Sequence, residues 1–121
     1  PPPGVASWTV PLRDGLTLRG MPTLRLDFRT TAPDVELNSR LWDVAPGGTR
    51  TLVTRGARRV LRPSATGAEV TYDLFGNHWR FQPGHSLLLE VAPDDSTYLR
   101  RDNFPALVTI DGARLTLPVR R

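Results

Sequence analysis

The chain has 121 residues and a hydrophobic fraction of 39%, which fits one domain with a core large enough to need no covalent staples. It has no cysteine, which excludes disulfides and thiolate chemistry and leaves the redox compartment undetermined. Its net charge of +4 is carried by 16 arginines and no lysine. No apolar run approaches the roughly 18 residues of a helical membrane span, so no membrane partner is expected.

Residues 1 to 6 read as a linker or chain start, with one domain from residue 7 to 121. The opening lacks the basic segment and apolar run of a signal peptide. Trp8 to Leu12 reads as a short strand and Asp14-Gly15 as a turn. Leu16 to Arg19 is a second strand, broken by Gly20-Met21-Pro22. Thr23 to Thr31 alternates cleanly, with Leu24, Leu26 and Phe28 on one face and Arg25, Asp27 and Arg29 on the other. After the loop Ala32-Pro33-Asp34 comes a hairpin. Val35, Leu37 and Leu41 set the inward phase, Ala45-Pro46-Gly47-Gly48 reverses the chain, and Thr49 to Thr54 returns. Ala57 to Arg62 fits either a helical turn or an irregular crossover. Glu69 to Phe75, His78 to Phe81 and Ser86 to Ala92 are further strands, separated by Gly76-Asn77 and Pro83-Gly84. Pro93 to Phe104 is a polar loop. Leu107 to Ile110 and Arg114 to Val119 read as a closing hairpin around Asp111-Gly112. Eight to ten short strands without a useful helical period predict an all-β fold, an antiparallel sandwich or barrel.

Little of this carries chemistry. There is no G-x-S-x-G, and Ser7, Ser39, Ser64, Ser86 and Ser96 fall in strands or ordinary loops. His78 and His85 lie at strand starts or turns and read as hydrogen-bonding residues, so no catalytic group is expected. The arginines are spread from Arg13 to Arg121. Their one cluster, Arg55, Arg58, Arg59 and Arg62, has no stacking platform beside it, so no nucleic-acid partner is expected. Asp94, Asp95 and Asp102 share one loop with Asn103. They read as turn-capping acids, with calcium the alternative, because Arg100 and Arg101 intervene and the spacing is not that of an EF-hand. No cofactor is expected. Asp43 follows the inward phase of Leu37 and Leu41, so it must be paired, by the turn backbone or an arginine. Trp42, Trp79, Tyr98 and Phe104 fit either interface packing or a sugar-stacking platform. The latter would make the chain an independent carbohydrate- or ligand-binding module.

Two groups of motifs resemble a known family. Arg40-Leu41-Trp42-Asp43-Val44-Ala45-Pro46-Gly47-Gly48 with Leu52 to Gly56 is one. Phe81-Gln82-Pro83-Gly84-His85-Ser86-Leu87 with the ending Ala113 to Val119 is the other. In order and spacing they resemble the C-terminal non-catalytic domain of the X-Pro dipeptidyl-peptidase and cocaine esterase hydrolases, which the α-amino-acid ester hydrolases share. The resemblance implies a jelly-roll sandwich of galactose-binding-domain-like type that supplies none of the catalytic triad. It implies as partner an α/β-hydrolase domain of the same parent chain, whose shape it buttresses, and a role in walling the active-site cleft or a homo-oligomer contact. On this resemblance Leu41, Trp42, Asp43, Pro46, Gly47, Trp79, Phe81, Gly84 and His85 are expected to be structural or interface residues.

Overall fold

Period-2 alternation of apolar and polar residues leaves each strand one face to bury, and two sheets meet over those faces. The computed structural model describes residues 5–30, 33–61, 63, 66–93 and 108–119. Nine antiparallel strands are formed among these residues: β1 (Ala6–Leu12), β2 (Leu16–Gly20), β3 (Thr23–Thr30), β4 (Asp34–Val44), β5 (Arg50–Leu61), β6 (Ala68–Asp73), β7 (Asn77–Phe81), β8 (His85–Pro93) and β9 (Val108–Thr116). One layer is the four-stranded sheet β1-β8-β4-β5. The other joins β6-β3-β9 to β2-β7. Its two parts are linked where Arg19 N–H donates to the Pro118 carbonyl at 2.8 Å and Leu18 bridges Val119.

The core lies between the layers. Leu24, Leu26 and Phe28 of β3 meet Leu37 and Leu41 of β4 and Leu87, Leu89 and Val91 of β8, with Leu18 and Phe81 closing one side. All are buried. Truncating one of the large ones to alanine costs about 2–5 kcal/mol in such a setting. The fold is the expected antiparallel β-sandwich.

Three local expectations are corrected. Ala57 to Leu61 is neither a helical turn nor a crossover; it continues β5 and pairs with β4 as far as Asp34–Leu61. The 11-residue β4 supplies a partner to the end, so the ladder overrides an ambiguous local sequence. Arg62 lies outside the described residues. Asp111-Gly112 is not a hairpin turn, because β9 runs straight through it along β3. Asp27 pairs with Gly112 and Phe28 with Ile110, so Asp111 is the extra residue of a bulge. Arg29 grips its carboxylate with two hydrogen bonds of 2.9 Å. Finally, β1 starts at Ala6, inside the stretch read as linker, and Ala6 pairs with Val91.

Candidate functional site

The inward phase of β4 runs Val35, Leu37, Ser39, Leu41, Asp43, so the hydrophobic pattern carries a carboxylate into the core edge. Asp43 is 5% exposed. It lies just before the turn, where Gly48 N–H donates to the Ala45 carbonyl at 2.8 Å and Ala45 N–H to the Thr49 carbonyl at 2.9 Å. Gly48 takes the left-handed conformation that this turn needs, at φ +97°. Pro46 and Gly47 are exposed at its tip.

Among the described residues, the partners of Asp43 are neither the turn backbone nor an arginine. Trp79 Nε1–H donates to Oδ2 at 2.9 Å, and His85 Nδ1 lies 2.7 Å from Oδ1. An ionised carboxylate only accepts, so Nδ1 is the nitrogen that carries the proton. Trp79 arrives on β7 in phase with Phe81, which is fully buried. His85 opens β8 after the Pro83-Gly84 turn, and Gly84, at φ +85°, donates its N–H to the Leu12 carbonyl at 2.9 Å. One carboxylate thus ties β4 to β7 and β8 at one end of the sandwich. No nucleophile contacts His85 among the described residues, so the trio can hold strands together but has no group to attack a substrate.

Trp42 occupies the opposite face of β4. Its Nε1–H donates to Glu90 Oε1 at 2.6 Å, and the Arg50 guanidinium lies 5.9 Å from its ring centroid. Arg50 also lies 3.5 Å from the other Glu90 oxygen. Trp42 and Trp79 therefore face opposite sides of the four-stranded sheet and form no shared stacking platform. Tyr98 and Phe104 lie outside the described residues, as do Asp94, Asp95 and Asp102. Among the described residues no three His, Asp or Glu side chains gather as a metal ion would need. Sequence reading missed Glu90 and Arg50. The only signal for them was phase: Glu90 alternates outward from Leu87, Leu89 and Val91, onto the face where Trp42 points.

A further buried polar contact joins Ser39 to the Tyr72 hydroxyl across the core. Burial pushes the Tyr72 phenol above its usual range, and its hydrogen bond to Ser39 opposes that. On the surface, the Arg29 hydrogen bond holds the Asp111 carboxyl below the usual range.

Asp43 and His85 come from the two separate motif groups, and the fold brings them into contact. The model of the X-Pro dipeptidyl-peptidase C-terminal non-catalytic domain matches residues 1–118. The chain belongs to this family. As the description of the family states, the domain is non-catalytic. Solved structures that contain a similar sandwich include the following three. An α-amino acid ester hydrolase superposes at TM-score 0.83 and 21% identity, covering 98% of this chain and 26% of that one. An aminopeptidase from a marine sediment archaeon, Thaumarchaeota archaeon, gives 0.77 at 15% identity, covering 98% and 26%. A CocE/NonD family hydrolase from Staphylococcus aureus gives 0.73 at 14% identity, covering 97% and 30%. The X-Pro dipeptidyl-peptidase C-terminal domain described here thus spans less than a third of each of these chains. No curated protein matches it.

Proposed function

We propose that this domain is the C-terminal accessory part of a multidomain α/β-hydrolase of the X-Pro dipeptidyl-peptidase or acyl-esterase type. There it stabilises the hydrolase domain and shapes the active-site cleft or an oligomer contact. A jelly-roll, galactose-binding-like winding of the sandwich belongs to the same reading. The observation that carries it is the family match across almost the whole chain, set beside solved hydrolases several times its length. The Asp43–Trp79–His85 trio supports it, since a carboxylate bonded on both oxygens suits a rigid scaffold.

The test is made on the native gene product. A fluorophosphonate label should mark a serine in a chain several domains larger than 13.4 kDa, outside the residues described here. Deleting this domain should lower the temperature at which esterase or peptidase activity is lost on heating. A native product near 13.4 kDa, or a label within residues 5–119, overturns the proposal.

A further inference from the structure

The two outer faces of the sandwich differ in kind. On the layer containing β3, the outward positions pair Thr23 with Asp73, Arg25 with Thr71, Asp27 with Glu69 and Thr17 with Arg80. Further outward residues of that layer are polar too, among them Arg19, Arg29, Thr109 and Arg114. Arg25 lies 2.9 Å from Glu69, and Arg29 lies 2.9 Å from Asp111. This is the face of a sheet that meets water.

The outer face of β1-β8-β4-β5 is built otherwise. Register places Leu88, Trp42 and Leu52 in one row across three strands. Leu88 is 7% exposed yet lies outside the core cluster, on the reverse of the sheet from Leu87 and Leu89. Leu52 is 41% exposed. In the next row Arg40 faces Arg55 directly, a pairing that opposes folding. Among the described residues, the only carboxylate beside them in that row is Glu90, which is already engaged by Trp42 and Arg50. Neither Arg40 nor Arg55 has an ion pair among the described residues.

We infer that this outer face, centred on Trp42, Leu52, Arg40 and Arg55, is the surface that docks on the hydrolase domain of the parent chain. The inference rests on the accessory-domain reading above and adds the face and the chemistry of its partner. The partner surface is apolar where it meets the Leu88–Trp42–Leu52 row, and it presents carboxylate between the two arginines. Charge complementarity selects it. Arg25 faces Arg114 on the other layer as well, but there Asp27 and Glu69 neutralise Arg25. Among the described residues the Arg40–Arg55 pair lacks such an acid on its own face, so it gains most from a carboxylate brought by a partner. The length of the similar hydrolases supplies the occupant.

The experiment uses the full-length parent chain and hydroxyl-radical footprinting. Leu52 and Val119 are 41% and 42% exposed in the domain, so after correction for intrinsic reactivity they should label alike if both are free. Leu52 labelling several-fold more slowly than Val119 is the expected result. The same chain carrying Arg40→Glu and Arg55→Glu should melt in two separated transitions, while Arg114→Glu on the polar face should leave one. Leu52 labelling at the rate of Val119, with the charge reversals leaving a single transition, overturns the face assignment and leaves the accessory-domain reading standing. A parent chain in which this domain already melts separately before substitution overturns the stabilising role itself.

Discussion

Asp43 is the one buried carboxylate among the described residues, and both of its oxygens are used. Replacing it by alanine strands the Trp79 N–H and the His85 Nδ1 at the core edge. Each unsatisfied buried polar group costs about 1–3 kcal/mol, so Asp43→Ala should lose about 2–4 kcal/mol in urea unfolding. Asp43→Asn keeps one acceptor and should lose less. A midpoint unchanged by the alanine would show that the trio is not structural. Tyr72 gives a second residue-scale prediction. Its folded phenol titrates above the usual value because burial disfavours the phenolate. The folded state therefore holds a proton that the unfolded state releases, and stability falls as pH rises past about 10 toward the folded value. Below that pH the contribution is fully present. With no lysine and no cysteine in the chain, the alkaline loss should belong to tyrosine, and Tyr72→Phe should abolish it. Absorbance at 295 nm against pH, beside urea midpoints for both proteins, checks this.

Among the elements, the segment after β6 shows how backbone proximity sets residue choice. Leu74 and Phe75 leave the β6 ladder and cross to the edge of β5. There Phe75 N–H donates to the Arg55 carbonyl at 2.9 Å, and Thr54 Oγ1–H to the Phe75 carbonyl at 2.6 Å. A Cβ at Gly56 would lie 2.8 Å from Leu74 Cδ2 and 3.1 Å from its Cα. Gly56→Ala should cost about 1–3 kcal/mol through this overlap, whereas Gly47→Ala, with nothing within 4 Å of its Cβ, should be near neutral. Equal thermal midpoints for the two variants would contradict the geometry. Most strands and the inward phase of Asp43 were legible because alternation is a local signal. The bulges were not. Asp111 is extended rather than turned because β9 pairs along β3 on both sides of it, and Arg29, 82 residues away, grips its carboxylate. Val53 and Thr54 are both buried because β5 carries an extra residue opposite Leu41 and Trp42. The partners of Asp43 were hidden for the same reason: Trp79 and His85 are 36 and 42 residues distant in the chain, and no spacing rule links them.

Across the whole molecule, the contrast between a polar face and an apolar, cationic one predicts how the domain behaves when separated from a partner. The Leu88–Trp42–Leu52 row favours association of two copies, while the arginines around it oppose association. That repulsion acts between exposed charges and weakens as salt rises, because the screening length drops from about 10 Å at 0.1 M to about 3 Å at 1 M. The apolar attraction does not weaken in parallel. The isolated domain should therefore sediment as a monomer at low ionic strength and associate progressively as sodium chloride is added. This order is the reverse of that expected for an interface held by salt bridges. Leu52→Lys places a charge in the centre of the row and should keep the domain monomeric throughout, whereas Thr71→Lys on the polar face should change nothing. Sedimentation velocity across the salt series decides it: a sedimentation coefficient independent of salt, or association unaffected by Leu52→Lys, would mean that this face has no more affinity for a partner than its polar counterpart.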